Sequence, residues 1–574
     1  MNEARRLRRV WYGLALLTLL AGAASSLLLA LKESKDNAYV GDEACKGCHA
    51  TQYESFRKTS MGRSMTRPDS RDPLGDFARP FEFYSQILDR HYAVFKRQGK
   101  YFHRESQKDS SGKTLYSDTR EVKYSVGSGR VGRSYLIADG NRLYMSPISF
   151  YTSAKQWDLS PGYENKSFHG FNRPVWEQCV VCHAGLAKPV RGGLNLYLDP
   201  PFQTLAIGCE RCHGPGQQHA ELNRSGEVEA AARAIVNPRK LPKQLRDNVC
   251  DQCHLRGDAR VLRPGRSEGD FRPGQPLDET IAIFSVPLQI KGERGEVFPG
   301  ISHVAQIRSS SCWKATAGEL ACTTCHDPHQ EPRATARVDH YKSRCLTCHK
   351  LQECAARPET RHATSPPDNC VGCHMPKSQV VGIAHAVATD HRIRRSPQAA
   401  PGPAALSVRG TDLVYETAVG QSAPDLRTRA LAYAQLSLSP SYRQSAYELL
   451  EQAAREYPDD RDVQESFGLT QLRVSSDPAS IGRAAQALQR AVALGTPTLQ
   501  VYLRLAEIRL SAGQVNPGIR LLEQALELEP RMSSAALRLS EVYLALGQPE
   551  KARTVLVQAL KLDPGNSSLR EALK

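Results

Sequence analysis

Near its start the chain carries its one apolar run of membrane-spanning length. Val10 to Leu31 contains no charged residue, and at a rise of about 1.5 Å per residue a run of this length crosses a bilayer core. Four arginines precede it and predict a cytoplasmic N-terminus with the rest of the chain exported: Arg5, Arg6, Arg8 and Arg9. The alternative is a signal peptide cleaved near Ala21-Gly22-Ala23, but the apolar residues 27–31 after that site favour an uncleaved anchor over residues 1–36.

Between about residue 80 and residue 163, apolar and polar side chains alternate. Ser134-Tyr-Leu-Ile and Leu143-Tyr-Met-Ser have the two-residue period of half-buried strands, and Ala-Asp-Gly-Asn at 138–141 is a turn between them. We therefore expect a small antiparallel β region there. Residues 179–395 show little periodicity and many Gly and Pro, which predicts a mainly α or irregular chain.

The period changes in the last part of the chain. Prolines at 458, 497, 530 and 564 recur at spacings of 39, 33 and 34 residues, the length of a tetratricopeptide helix pair. Residues 425–574 are therefore predicted to form an all-α solenoid of about four repeats, after an Ala-, Pro- and Ser-rich linker at 396–424. Its concave face could bind a peptide or a protein partner, and a folded cap without a ligand is the alternative.

Cysteine carries the strongest chemical signal. The chain has 16 cysteines, all between Cys45 and Cys373, and fourteen of them lie in seven C-x-x-C-H motifs. The motifs are Cys45, Cys48, His49; Cys179, Cys182, His183; Cys209, Cys212, His213; Cys250, Cys253, His254; Cys322, Cys325, His326; Cys345, Cys348, His349; and Cys370, Cys373, His374.

This motif attaches c-type haem, with both cysteines bonded to the haem edge and the histidine as proximal iron ligand. Zinc ribbons also use C-x-x-C pairs but need no histidine after each one, and a thioredoxin-like motif occurs once. Seven covalent haem c groups are therefore predicted within a haem-packed cytochrome c domain at 37–395, where the macrocycles form much of the core.

Ten histidines remain for the distal side of the irons. Their positions near the motifs make five of them the expected distal ligands: His219, His303, His329, His385 and His391. Further candidates are His169, His340 and Met61. The haem on Cys45 is expected to be the one left open, because no histidine follows it before His91.

Two cysteines lie outside the motifs, Cys312 and Cys354. In an oxidising compartment such a pair suggests a disulfide. Two buried free thiols are the alternative.

The net charge of +16 is unevenly distributed. Residues 425–574 are nearly neutral, so the surplus lies in the first 424 residues. A basic half can indicate nucleic-acid binding. Seven haems would bring up to about 14 propionate charges, so we interpret the surplus as internal compensation and expect no nucleic-acid partner.

Two of the motifs resemble a known family. Cys209-Glu-Arg-Cys-His-Gly-Pro-Gly-x-x-His219 and Cys370-Val-Gly-Cys-His-Met-Pro-Lys are similar to motifs of cytochrome c-554-like multihaem proteins, which are related to hydroxylamine oxidoreductase and pentahaem nitrite reductase. The order of anchor, haem domain and repeats is similar to that of bacterial tetratricopeptide multihaem cytochromes. The resemblance implies bis-histidine haems in short contact and an electron-transfer role. No C-x-x-C-K motif is present, so the lysine-ligated catalytic haem of the nitrite reductases has no counterpart.

The sequence favours an electron-transfer protein at the bacterial inner membrane, with most of the chain in the periplasm, or wholly periplasmic or secreted if the signal is cleaved. Redox proteins would be its partners. The alternative is a reductase or oxidoreductase acting on a small nitrogen or sulfur compound at one five-coordinate haem, so enzymatic activity stays undecided. In a third hypothesis the repeats form an assembly scaffold and the haems give it a redox input.

Overall fold

The computed structural model describes residues 37–68, 77, 79–164, 170–290, 296–297, 302–379, 385, 387–395, 406–408, 412–417 and 422–574. The anchor predicted at 1–36, the candidate ligand His169 and most of the predicted linker lie outside these residues. The described chain is multidomain: a ten-stranded antiparallel sheet, a unit of short helices and small sheets, and a C-terminal helical solenoid.

The large sheet follows the first haem motif. Its strands are β1 (Met65–Thr66), β2 (Phe81–Ser85), β3 (Arg90–Arg97), β4 (Lys100–Lys108), β5 (Thr114–Val126), β6 (Gly132–Asp139), β7 (Arg142–Met145), β8 (Ile148–Tyr151), β9 (Gln156–Leu159) and β10 (Arg173–Pro174). Neighbours run in the order β10-β7-β6-β5-β4-β3-β2, with β1 on β5, β8 on β6 and β9 on β8.

Alternating side chains give this sheet one strongly buried face. On β4, Tyr101, His103 and Glu105 are buried and the residues between them are not, as expected for a period of two. Tyr92 and Tyr135 join them in an aromatic cluster. The sheet is larger than the small β region predicted for 80–163: eight strands lie in that region, and short strands at Met65 and Arg173 pair with β5 and β7.

The unit that follows contains more β structure than predicted. Its strands are β11 (Leu186–Pro189), β12 (Tyr197–Thr204), β13 (Ala259–Leu262), β14 (Ile281–Ser285), β15 (Leu288–Ile290), β16 (Glu296–Val297), β17 (Lys377–Gln379), β18 (Val387–Thr389), β19 (Leu406–Val408) and β20 (Val414–Tyr415). Every residue of β14 is buried. A strand covered on both faces does not alternate, so the expectation of a mainly α or irregular domain was wrong here.

The haem motifs are carried on helices of this unit, most of them short. They are α1 (Glu43–Lys46), α2 (Ala50–Phe56), α3 (Glu177–Val180), α4 (Glu210–His213), α5 (Gln217–Arg224), α6 (Val228–Arg233), α7 (Lys243–His254), α8 (His303–Ser309), α9 (Ser311–Ala315), α10 (Cys322–Cys325), α11 (Arg337–Cys345), α12 (Pro358–His362) and α13 (Cys370–His374).

The C-terminal helices confirm the predicted all-α repeat region. They are α14 (Leu426–Leu436), α15 (Pro440–Glu456), α16 (Arg461–Val474), α17 (Pro478–Ala493), α18 (Leu499–Ser511), α19 (Val515–Leu528), α20 (Ser533–Ala545), α21 (Pro549–Leu562) and α22 (Ser567–Ala572). The first eight form four antiparallel pairs, and α22 packs beside α21 at the end.

Small residues allow the paired helices to approach closely. A Cβ added at Gly468 would lie 2.7 Å from the side chain of Leu488, and one at Gly518 would lie 2.6 Å from Leu510. Both distances are far below ordinary carbon contacts. The glycines therefore permit a backbone approach that keeps Leu488 fully buried.

The first repeat is joined to the preceding unit by a shared core. Val261 of β13 and Phe284 of β14 belong to the same buried cluster as Leu431 of α14. The described parts of the predicted linker contribute strands to this joint, since β20 pairs with β14 and β19 with β15. Within the segment predicted as a linker, residues 406–408 and 414–415 are thus strands of small sheets.

The last repeats contact the large sheet through polar groups. Arg531, whose side chain is 1% exposed, forms an ion pair of 2.7 Å with Asp139 and lies over the ring of Tyr144. The Tyr144 hydroxyl donates to Glu529 at 2.7 Å. The solenoid is thus attached to the rest of the molecule near both ends.

Candidate haem-binding sites

The motifs fold as single helical turns. In four of them the N–H of the histidine donates to the carbonyl of the first cysteine at 2.9 or 3.0 Å: His49, His213, His326 and His349. Residues at i, i+3 and i+4 of such a turn share one face. Both thiols and the imidazole of a motif therefore project to the same side, as haem attachment needs.

Four motif histidines face a second histidine from elsewhere in the chain. The distances between ring centres are 6.3 Å for His49 and His219, 6.1 Å for His213 and His329, 6.0 Å for His254 and His303, and 6.3 Å for His326 and His391. Two metal–nitrogen bonds of about 2 Å, with about 1 Å from each nitrogen to its ring centre, add up to about 6 Å. The spacing therefore fits one metal ion between two imidazoles.

Four of the five expected distal histidines take part in these pairs. The expectation that the haem on Cys45 is the open one does not fit the geometry, because His219 faces His49. His219 lies on α5, just after the motif at Cys209. Because His49 and His219 are far apart in the sequence, the spacing of the motifs did not predict this pairing.

Hydrogen bonds orient several of these rings. Nδ1 lies 2.8 Å from the carbonyl oxygen of Val236 in His213, 2.8 Å from that of Ala231 in His219, 2.9 Å from that of Thr389 in His391, and 2.6 Å from that of Arg394 in His374. A carbonyl accepts only from a protonated nitrogen, so Nδ1 donates and Nε2 keeps its lone pair. This is the tautomer that binds a metal through Nε2.

Burial keeps several of these imidazoles neutral. Burial lowers the pKa of His303 to about 3 and that of His326 to about 4. It also lowers the pKa of His213, His254 and His391. A neutral ring is the form that coordinates a metal ion.

The remaining candidates are placed differently. His385 has its Nε2 2.9 Å from a carboxylate oxygen of Asp158 and its ring against Tyr151, so it does not face a motif histidine as expected. The ring of His340 packs on that of Tyr341. Met61 lies in a turn in which its carbonyl accepts from Ser64.

Three motif histidines have no facing imidazole within the described part of the chain: His183, His349 and His374. A hydrogen bond fixes the backbone of His183, because its carbonyl accepts from the Ser64 hydroxyl at 2.6 Å. His169, which could serve one of them, lies outside the described residues.

All 16 cysteines are free thiols in the structure, and the disulfide expected between Cys312 and Cys354 stays a prediction. The two lie beside different motifs. Cys312 is close to Cys325 and Cys345, and Cys354 is close to Cys370. Each unused thiol is therefore a neighbour of a haem-attachment thiol.

Thiols of different motifs are in contact. The thiols of Cys45 and Cys209, of Cys182 and Cys253, and of Cys250 and Cys322 lie close enough to shift one another's pKa. The motif at Cys250 and Cys253 therefore touches two other motifs, one through each of its cysteines. His303 and His391, from neighbouring pairs, are also in contact, with ring centres 4.5 Å apart.

The helices from α8 to α13 have almost no apolar core of their own. Among the described residues of 302–395, Val304 and Ala305 are the buried apolar side chains. Helices α9 to α13 bury no residue at all. Large apolar cofactors attached to these motifs would supply the missing core. The helical turns of the motifs, the paired imidazoles and the small number of buried apolar side chains in the described part of 302–395 are all consistent with haem binding.

Comparison with known proteins agrees with this assignment over part of the chain. A polyhaem c-type cytochrome of Geobacter sulfurreducens, OmcC, is 24% identical over 199 residues, covering 26% of this chain and 25% of its own length. The multihaem cytochrome MtrA of Shewanella baltica is 21% identical over 182 residues, covering 30% of this chain and 52% of its own. The chain thus spans between a quarter and about half of these relatives and is distantly similar to multihaem cytochromes.

The C-terminal end matches a separate family. The family model of the tetratricopeptide repeat covers residues 518–574. A crystal structure of MamA is 17% identical, with a TM-score of 0.22, and covers 24% of this chain and 80% of its own. The repeat family indicates a role in protein–protein interaction.

Within the ranges that the structure describes, no helix combines the length and the apolar character needed to cross a bilayer. The run at residues 10–31 lies outside those ranges.

Proposed function

We propose that the chain is a periplasm-facing multihaem c-type cytochrome that transfers electrons along bis-histidine haems, while its repeat domain docks a protein partner. The observation that carries this proposal is the set of four imidazole pairs with ring centres 6.0–6.3 Å apart. Haem iron, when bound, supplies one-electron reduction and oxidation. An iron held by two protein ligands has no free position for a substrate, which favours a carrier over an enzyme.

Contacts between motifs support a continuous path for electrons. The thiol contacts bring neighbouring attachment sites against one another. The contact between His303 and His391 does the same for two pairs of iron ligands. Haems attached at these positions would be neighbours, and their redox partners would be other electron-transfer proteins.

The full proposal places seven haems on the chain and an N-terminal anchor in the inner membrane. Attachment of c-type haem outside the cytoplasm and the four arginines before the apolar run support this location. The apolar run itself lies outside the described residues, so the anchor rests on sequence alone.

Two measurements on the purified protein test the proposal. The mass of the denatured chain should exceed that of the polypeptide by seven haem masses. Electron paramagnetic resonance of the oxidised protein should show at least four low-spin haems, one for each imidazole pair. Fewer than four low-spin signals in a fully loaded protein would contradict the bis-histidine assignment.

One observation favours a second candidate, a reductase or oxidoreductase of a small nitrogen or sulfur compound. His183, His349 and His374 face no imidazole among the described residues, and an iron with one open side can bind a substrate. Steady turnover of nitrite, hydroxylamine or tetrathionate by the purified protein, together with a high-spin haem signal, would favour this function over the carrier.

A further inference from the structure

Three arginines meet where the first repeat of the solenoid contacts the second. Arg443 lies on α15 and Arg473 near the end of α16, and both donate to Ser437, the residue that ends α14. Arg473 donates from Nη1 to its hydroxyl at 3.0 Å, and Arg443 donates from Nε to its carbonyl at 3.3 Å. The charge of Arg504 on α18, in the third repeat, also acts on Arg473.

Within the described chain these positive charges have no carboxylate partner. None of the three arginines forms an ion pair there, and residues 422–574 are described without a gap. Burial, together with the charges of Arg443 and Arg504, lowers the pKa of Arg473. The cluster therefore holds like charges together without a carboxylate among them, which favours the binding of an anion.

The next repeat provides a contrast. Arg538 lies one repeat after Arg504, and it forms ion pairs with Glu507 at 3.0 Å and with Glu541 at 2.9 Å. Arg538 is thus neutralised by carboxylates, whereas Arg504, its counterpart one repeat earlier, forms no ion pair with a described residue. The uncompensated cluster is a local feature and not a general property of the repeats.

An apolar side chain stands beside the arginines. Leu438 is 73% exposed, the highest value among the large apolar residues of the described chain. Its carbonyl accepts from Nη2 of Arg443 at 3.3 Å. An isolated exposed leucine is ordinary, but here it adjoins the arginine cluster, and guanidinium groups bind carboxylates through paired hydrogen bonds.

We propose that Arg443, Arg473, Arg504 and Leu438 form a docking site for an acidic segment of a partner protein, one that offers carboxylates to the arginines and an apolar side chain to the leucine. This inference rests on the proposed docking role of the repeats and specifies the chemistry of the partner. A peptide is favoured over a lipid surface because the cluster is small, with three arginines and one exposed leucine.

Binding of two labelled peptides to the full-length haem-loaded protein tests the site. The first is a fluorescein-labelled octapeptide with four glutamates and a C-terminal leucine, and the second has glutamine in place of each glutamate. Fluorescence anisotropy at low salt should show binding of the glutamate peptide at least about tenfold tighter. That affinity should fall as salt is added, because screening weakens exposed charge pairs.

Variants locate the binding to the cluster. Arg473→Gln should weaken binding of the glutamate peptide about tenfold, and Leu438→Ser should weaken it about threefold. The matched control Arg538→Gln, at the arginine that already has carboxylate partners, should change it less than about twofold. Equal binding of the two peptides, or an equal loss in Arg473→Gln and Arg538→Gln, would overturn the proposal.

Two further measurements distinguish the peptide site from a lipid surface and from a loss of haem. Binding to phosphatidylglycerol vesicles without binding to the glutamate peptide would show a lipid-binding surface and reject the peptide site. Haem content and low-spin signals, measured on the same samples, report on the electron-transfer function. A failed peptide experiment with intact haem signals therefore overturns the docking site alone.

Discussion

Helices are the main regular secondary structure in both residues 302–395 and residues 422–574 where the structure describes them, yet the two segments are stabilised in different ways. The repeat segment buries a long series of side chains, including Leu488, Leu505 and Leu522, in a continuous core. Residues 302–395, the haem-motif segment, contribute one described residue, Val304, to a buried apolar cluster. Helical content alone therefore does not tell whether a segment can fold without a cofactor.

The difference lies in where the apolar surface comes from. In the repeats, each helix pair covers the face of its neighbour, and stability adds up along the chain. In the haem-motif segment, short helices such as α10 and α13 each span one motif. Isolated helices of this length are unstable in water, so we expect the proposed haems to provide the contacts.

Withholding haem should produce the largest effect. Full-length chain made in the cytoplasm, where these haems are not attached, should be cut rapidly by protease within 302–395, while a fragment containing 422–574 survives. The measurement is limited proteolysis with mass identification of the fragments. Exported, haem-loaded protein is the control and should resist at the same sites. Equal resistance of both samples would show that the haem-motif segment folds unaided.

Removing a single iron ligand tests the comparison within the haem-motif segment. His391→Ala should convert one haem to high spin and let carbon monoxide bind its reduced form, because His391 faces His326. The matched variant His385→Ala should leave the spin states unchanged, since Nε2 of His385 is bound to Asp158. Spin is read by electron paramagnetic resonance. A new high-spin signal in His385→Ala would reverse the assignment of these two neighbouring histidines.

The sequence predicted the repeats, and four of the five histidines that it named as distal candidates face a motif histidine in the structure. It did not predict which histidine faces which motif. His219 was expected to be a distal ligand of some haem, and its pairing with His49 is set by tertiary packing. Likewise, β14 was missed because a strand buried on both faces lacks the alternation by which strands are recognised.

The disulfide expected between Cys312 and Cys354 stays a prediction. Pairing the two leftover cysteines assumed that unused thiols meet, whereas Cys312 and Cys354 are each neighbours of different attachment cysteines. Counting residues gives the number of thiols but not their positions.

Removing the polar contacts between the last repeats and the large sheet should have a moderate effect on stability. Arg531→Ala removes the ion pair with Asp139, the stacking on Tyr144 and a hydrogen bond to the carbonyl of Phe171 at 3.0 Å. Because the side chain is 1% exposed, we expect a loss of about 2–4 kcal/mol in the free energy of unfolding.

The measurement for this variant is urea unfolding of the haem-loaded chain. Arg520→Ala, at an exposed arginine on α19, is the control and should stay within about 0.5 kcal/mol of the parent. A similar midpoint for both variants would show that the apolar joint at the first repeat alone holds the solenoid in place.

The smallest predicted effect concerns a buried carboxyl of the repeats, Glu465 on α16. The Thr496 hydroxyl donates to it at 2.5 Å and the Thr498 hydroxyl at 3.2 Å, yet burial dominates and raises the pKa of Glu465. A carboxyl with a raised pKa binds its proton more tightly in the folded chain than in the unfolded chain. Stability should therefore fall as the pH rises from about 4, the unfolded value, through the folded value.

Glu465→Gln should remove this part of the pH dependence, whereas Glu448→Gln, on the exposed side of α15, should keep it. The helical circular dichroism signal during urea unfolding, followed at several pH values, measures the slope. A slope that is the same in the parent and in Glu465→Gln would mean that the repeat core carries no cost from this buried charge.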